Sequence, residues 1–225
     1  MNPLVRTLAA LALIGACSTA SAQTTPLAAL TAAVAATEAA KTDYAFDFQL
    51  QSSRQDWRAR FDPSRTPSLH LVSPGRDELD NDQRRAFDSL AERLEGVSWC
   101  ASESMGRVGD LRVLRETADT VTYAFQPTRE SMNGDMARRF ADRLRGEVTL
   151  TKQNPDVTAM RIFAPEAFSP MPLTRLDALN VTIRCEPAPN GRRYAAETVM
   201  QVRFSGLGQN VDERTVQRAA NLSPR

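Results

Sequence analysis

The sequence predicts an α+β domain built on one large, curved antiparallel β-sheet that two or three helices cover. Apolar and polar residues alternate in several segments of the chain, as strands with one buried face require. Turn sequences separate consecutive segments, so neighbouring strands are expected to run antiparallel. Amphipathic helical stretches precede and interrupt the strands, which is typical of the α+β class.

Residues 1–22 have the pattern of a cleaved secretory signal peptide. Arg6 provides a positive charge before a short apolar run, Leu8–Ala16, and that run falls short of the roughly 20 apolar residues that span a bilayer. Ala20-Ser21-Ala22 supplies the small residues that a signal peptidase recognises. We therefore expect export to the periplasm or cell envelope, with a single mature domain over residues 23–225.

A second processing route overlaps the first, because Ile14-Gly15-Ala16-Cys17 is similar to a bacterial lipobox. Lipidation of Cys17 would anchor the protein to a membrane, whereas cleavage after Ala22, which the A-x-A sequence favours, would release it. No segment of the mature chain approaches the length of a transmembrane helix. The whole chain has 28 basic and 27 acidic residues, and Arg6 leaves with the signal peptide, so the mature net charge is zero. This balance argues against nucleic-acid binding.

Two cysteines remain once Cys17 is removed, and we predict that Cys100 and Cys185 form a disulfide in an oxidising compartment. The closed loop of about 85 residues would stabilise the fold by roughly 4 kcal/mol. Two buried free thiols are the alternative. No metal site is predicted, because the chain has one histidine and no C-x-x-C motif.

The first half of the mature chain predicts a helix, three strands and a second helix. Residues 26–41 are alanine-rich, with leucines at helical spacing. The strands follow at Tyr44–Gln51, Asp56–Asp62 and Leu69–Val72. Asp80 is the expected N-cap of a helix whose apolar stripe ends near Leu94, with Gln83 completing a capping box.

The second half predicts further antiparallel strands around one more helix. Strands are expected at 110–116, 120–126, 147–152, 157–163, 179–185 and 193–205, with a helix over 131–145. Asn154-Pro155-Asp156 and Asn190-Gly191 are turn signals between consecutive strands. The tail after residue 208 is polar and is expected to be loosely held.

Candidate chemistry is sparse, and we predict no catalytic residue and no cofactor. No G-x-S-x-G, H-E-x-x-H or Walker motif occurs. A serine hydrolase needs a base, and His70, between two leucines, is the one histidine that could serve.

The most distinctive feature of the sequence is the set of aromatic residues on the predicted apolar faces of the strands. Two interpretations are open: they fill the core, or they line a cavity for an acyl chain or other hydrophobic ligand. The seven candidates are Tyr44, Phe46, Phe48, Trp57, Phe61, Tyr123 and Phe125.

The helix followed by Tyr44-Ala-Phe-Asp-Phe-Gln-Leu-Gln51, Trp57-Arg-Ala-Arg-Phe-Asp-Pro63 and later strands such as Arg145–Leu150 resembles the LolA/LolB-type lipoprotein carriers. The resemblance implies an open half-barrel closed by helices, whose apolar concavity holds acyl chains. It implies a non-enzymatic envelope protein that binds a lipid, an acylated protein or another apolar ligand. An envelope interaction module without a ligand cavity is the first alternative, and a small hydrolase is the second.

Overall fold

The structure is a computed structural model that describes residues 25–132, 134–206 and 208–225. The predicted signal peptide and Cys17 lie outside the described residues. Two longer helices and one short helix accompany the strands: α1 (Pro26–Ala39), α2 (Asn81–Arg93) and α3 (Asp135–Arg139). The strands are β1 (Tyr44–Gln51), β2 (Asp56–Phe61), β3 (Leu69–Ser73), β4 (Gly109–Glu116), β5 (Thr120–Gln126), β6 (Arg145–Thr151), β7 (Val157–Phe163), β8 (Thr174–Pro187), β9 (Arg193–Gly206) and β10 (Gln209–Pro224).

All ten strands belong to one antiparallel sheet in the order β3-β2-β1-β10-β9-β8-β7-β6-β5-β4, which leaves β3 and β4 as its edges. Strands β4 to β10 follow one another as a meander, and the chain closes the arrangement by pairing β1 with β10. The predicted α+β class with a large antiparallel sheet is therefore confirmed.

The prediction of a loosely held tail after residue 208 is wrong. Gln209–Pro224 forms β10, the longest strand, which pairs with β9 from Gln209 to Arg218 and with β1 from Val216 to Pro224. Hydrogen bonds between backbones hold a strand whatever its side chains, so a polar sequence between two partners is still ordered.

The predicted helix over 131–145 is also wrong in extent. Only Asp135–Arg139 is α-helical, beginning after Gly134, whose φ is +86°. A 3₁₀ turn at Ala141–Arg143 follows, and the chain then becomes extended. Strand β6 starts at Arg145 because that residue pairs with Phe163 of β7, so strand pairing overrides the local helical periodicity.

The two longer helices pack on the same face of the sheet, called the inner face below. Helix α1 buries Leu30 completely against β5 to β7, a burial worth roughly 1.5–3 kcal/mol. Helix α2 buries Phe87 against Trp57 of β2 in an edge-to-face contact of 5.5 Å. The predicted capping box is confirmed, since the Asp80 carboxylate accepts hydrogen bonds from the backbone N–H groups of residues 82 and 83.

A largely buried arginine fixes the second half of α1 to the sheet. The Arg192 guanidinium lies 3.1 Å from the Asp156 carboxylate, and the two side chains are only 16% and 8% exposed. The same guanidinium donates to the Thr37 hydroxyl and to the carbonyls of Ala33 and Pro155. Burial raises the pKa of Asp156, while the charge of Arg192 opposes that rise. This clamp joins α1, the β6–β7 turn and the β8–β9 hairpin.

Candidate functional site

The centre of the inner face carries apolar side chains that neither α1 nor α2 covers. Strand β8 contributes Leu179, Val181 and Ile183, which the sequence predicts to share one face. The strand register places Val181 beside Met200 and Leu176 beside Phe204 of β9, and cross-strand neighbours share a face of the sheet. These strands lie between the half under α1 and the half under α2, so the apolar surface continues where the helices stop.

A cavity of about 860 Å³ lies on this part of the inner face, within the size range of small-molecule sites. Its floor is formed by strands β7, β8 and β9. Its cover comes from two connecting segments, with Met132 and Phe140 on one and Phe168 and Met171 on the other. The rings of Phe140 and Phe168 touch, with centroids 5.3 Å apart, and so join the two segments.

None of the described residues that line this cavity is charged. The polar side-chain groups are hydroxyls and the indole N–H of Trp99. Three of the hydroxyls belong to one short stretch: Ser98, Ser102 and Ser104. The Ser102 and Ser104 hydroxyls hydrogen-bond each other at 2.8 Å. The site therefore combines apolar walls with neutral donors and acceptors, which suits a hydrocarbon chain that ends in an uncharged polar group.

Apolar surface inside the cavity remains accessible to water. Met200 is 38% exposed and Met171 is 47% exposed, although both line the cavity. Contiguous apolar surface that stays exposed on a folded domain is enriched at binding sites.

The seven aromatic residues predicted as ligand contacts all lie in the packed core, each at most 7% exposed. Four of them form the cluster under α2, where Phe46 stacks on Phe61 at 4.9 Å. Tyr123 and Phe125 belong to the separate cluster under α1, and Tyr44 packs against Trp99. None of the seven lines the 860 Å³ cavity. The seven residues are Tyr44, Phe46, Phe48, Trp57, Phe61, Tyr123 and Phe125.

One cysteine of the predicted pair forms part of the cavity wall. Cys100 and Cys185 have disulfide geometry, with Cα atoms 6.3 Å apart, and Cys100 lines the cavity. The bond joins the stretch after α2 to strand β8. His70, by contrast, lies opposite Arg60 on edge strand β3, far across the sheet from the cavity.

A second cavity of about 660 Å³ adjoins the first at Ser98 and Trp99 but differs in character. Charges of both signs line it, including Lys41, Asp43 and Arg93. Tyr44 and Phe61, two of the seven predicted aromatic residues, also line it. Because charged side chains surround it, it suits a hydrocarbon chain less well, and the uncharged cavity is the better candidate site.

Comparison with protein-family models, with curated proteins and with solved structures finds no match for this chain. Among the described residues, no helix has the length and apolar character needed to cross a membrane.

Proposed function

We propose that this protein is a non-enzymatic envelope protein that binds the acyl chain of a lipid or of an acylated protein in the uncharged cavity. The observation that carries the proposal is the cavity itself: about 860 Å³, apolar, and free of charge among its described lining residues. The pattern of residues 1–22 and the disulfide geometry of Cys100 and Cys185 support an exported protein in an oxidising compartment.

Burial of hydrocarbon supplies enough free energy for this role. Each methylene moved from water into an apolar site contributes about 0.8 kcal/mol, so a dozen contribute roughly 10 kcal/mol before the costs of association are subtracted. A bound chain would also cover the exposed parts of Met171 and Met200. The serine hydroxyls along one wall would meet the ester or amide that follows the chain.

Two adjacent residues of β9 provide a matched test. Met200 faces the cavity, whereas Gln201 lies on the opposite face beside Arg214 and Asn180. Both side chains reach solvent, so a glutamate is hydrated and tolerated at either position in the empty protein. In Met200→Glu, however, a bound chain must strip water from the new carboxylate.

The measurement is a titration with the neutral fluorescent probe N-phenyl-1-naphthylamine, followed by its displacement with phospholipid. We expect Met200→Glu to bind the probe at least about tenfold more weakly than wild type, equivalent to about 1.4 kcal/mol, and Gln201→Glu to bind it normally. Equal binding by all three proteins contradicts the proposal. Mass spectrometry of lipid that co-purifies from the periplasm identifies the natural ligand.

A protein-interaction module is the second candidate, and the edge strand β4 favours it. Val113 and Leu114 are 54% and 55% exposed on this edge, where unpaired backbone groups can accept a strand from a partner. A photoreactive side chain at Val113 in intact cells tests it, since a partner docked along β4 gives a discrete crosslinked product and an unoccupied edge gives none.

A further inference from the structure

The loop of residues 164–173, between β7 and β8, ends in a turn that holds a leucine in an unusual conformation. The turn is Met171-Pro172-Leu173-Thr174, closed by the Thr174 N–H donating to the Met171 carbonyl at 3.2 Å. The φ of Leu173 is +63°. With proline at the second position, the third position of such a turn favours glycine or asparagine, because a bulky side chain is strained at positive φ.

Nothing in the packing of Leu173 explains why this position is a leucine. Its side chain is 80% exposed, the highest value among the large apolar residues of the described chain. Gly206 packs against the turn so closely that a Cβ there would lie 2.5 Å from the Leu173 carbonyl oxygen, which leaves no room for a side chain at residue 206. A strained and exposed apolar residue points to a role outside the fold.

The exposed leucine belongs to an apolar corner that leads into the cavity. Met171 (47% exposed) and Val211 (40%) are also at this end of the sheet, where the starts of β8 and β10 pair with the end of β9, and Met200 lies further along β9 towards its middle. Met171 and Met200 line the cavity as well. Apolar surface therefore continues from the tip of the loop to the proposed ligand site.

Exposed arginines flank the apolar corner. Arg175 and Arg203 are exposed on the opposite face of the sheet from the cavity, and each is paired with an aspartate. Arg138 and Arg139 of α3 are exposed as well, and the contact between Phe140 and Phe168 brings that helix beside the loop. The segment 129–145 holds five arginines and three acidic residues. Exposed apolar side chains beside the arginines of α3 are the pattern of a surface that binds anionic membranes.

We propose that the 164–173 loop docks this protein onto a membrane surface that contains anionic phospholipid. Leu173 and Met171 insert at the acyl boundary, and the neighbouring arginines contact the phosphate groups. Docking by this corner brings the mouth of the cavity to the bilayer, so an acyl chain moves between membrane and cavity with little exposure to water. That transfer rests on the proposed function, whereas the docking does not.

The test is co-sedimentation of the protein with vesicles of phosphatidylglycerol and phosphatidylethanolamine, compared with vesicles of phosphatidylcholine alone. We expect stronger binding to the anionic vesicles, weakened by added salt. Leu173→Asn is expected to lower the vesicle affinity by roughly tenfold or more, from the loss of one buried leucine side chain. Because asparagine accepts positive φ, the same variant should keep or raise Tm, by up to roughly 2–4 °C.

Leu114→Asn is the matched control, since Leu114 is equally an exposed leucine (55%) but lies on edge strand β4. It should bind vesicles as wild type does. Wild type that fails to sediment with anionic vesicles overturns the proposal, and so does undiminished sedimentation of Leu173→Asn. A protein crosslinked at residue 173 without vesicle binding overturns it in favour of a protein partner.

Failure of the docking is distinguishable from failure of the ligand site. Leu173→Asn should keep its affinity for N-phenyl-1-naphthylamine in solution, because Leu173 does not line the cavity. Met200→Glu should lose that affinity and still sediment with anionic vesicles, in an amount close to that of wild type. If Leu173→Asn and Met200→Glu each lose both probe binding and vesicle binding, a single surface serves both, and the docking proposal is wrong.

Discussion

Replacing Arg192 by methionine is expected to lower the free energy of unfolding by about 3–5 kcal/mol at neutral pH, the usual cost of removing one partner of a buried ion pair. The Asp156 carboxylate 3.1 Å away is only 8% exposed, so water cannot replace the lost guanidinium. Donors to the Thr37 hydroxyl and the Ala33 carbonyl disappear as well. For a domain of this size the loss corresponds to a fall in Tm of roughly 6–20 °C.

The pH dependence of this loss has a definite sign. Burial already raises the pKa of Asp156, and removing the opposing charge of Arg192 raises it further. A carboxyl whose pKa is higher in the folded protein than its ordinary 3.8 binds a proton first in the folded state. Lowering the pH through that window therefore stabilises the folded form. The deficit of Arg192→Met relative to wild type should be smaller at pH 5 than at pH 7.

The assay is thermal unfolding followed by circular dichroism at both pH values, with a double variant as the control. Arg192→Met combined with Asp156→Asn removes the unpaired charge and should recover a large part of the lost stability. A single variant that loses less than about 1 kcal/mol, the scale of a surface ion pair, refutes the reasoning. Equal losses in the single and double variants refute it too.

Two further stability predictions follow from the packing around the cavity. Replacing Cys100 and Cys185 by alanine should lower the free energy of unfolding by about 2–5 kcal/mol, which denaturant unfolding measures. It should also weaken probe binding in the titration, because the bond holds one wall of the cavity. Gly146→Ala should lower the free energy of unfolding by about 1–3 kcal/mol, since a Cβ at this position would overlap the ring of Phe125. Gly106→Ala, which meets open space, should be close to neutral, and an equal loss at both glycines contradicts the packing argument.

Most strands could be predicted from the sequence, because alternation is a local property. Segments such as Tyr44–Gln51 and Val157–Phe163 match the structure at both ends. Strand β10 could not be predicted in this way. Its inner-face positions include Glu213, Thr215 and Gln217, and these polar residues do not produce the alternation that indicates a buried face. One of its two partners, β1, lies 165 to 180 positions away in the chain, and periodicity within one segment carries no information about such pairing.

The candidate site was harder to predict than the fold. The sequence identifies Leu179, Val181 and Ile183 as one face of a strand, but many strands have such a face. Which strand face is left uncovered depends on where α1 and α2 pack on the sheet. Six of the seven predicted aromatic residues lie under the helices, because their large apolar side chains gain most from burial there, and Tyr44 packs against Trp99.

The pairing of β1 with β10 has a consequence for how the chain acquires its structure. The partners are 165 to 180 positions apart, from Gln51 with Val216 to Tyr44 with Pro224. Contacts of such long range form slowly. A chain that emerges residue by residue, from a ribosome or through a membrane pore, can assemble the meander from β4 onward as it appears. The block of β1 to β3 with α2 can join the sheet only after the last strand has arrived.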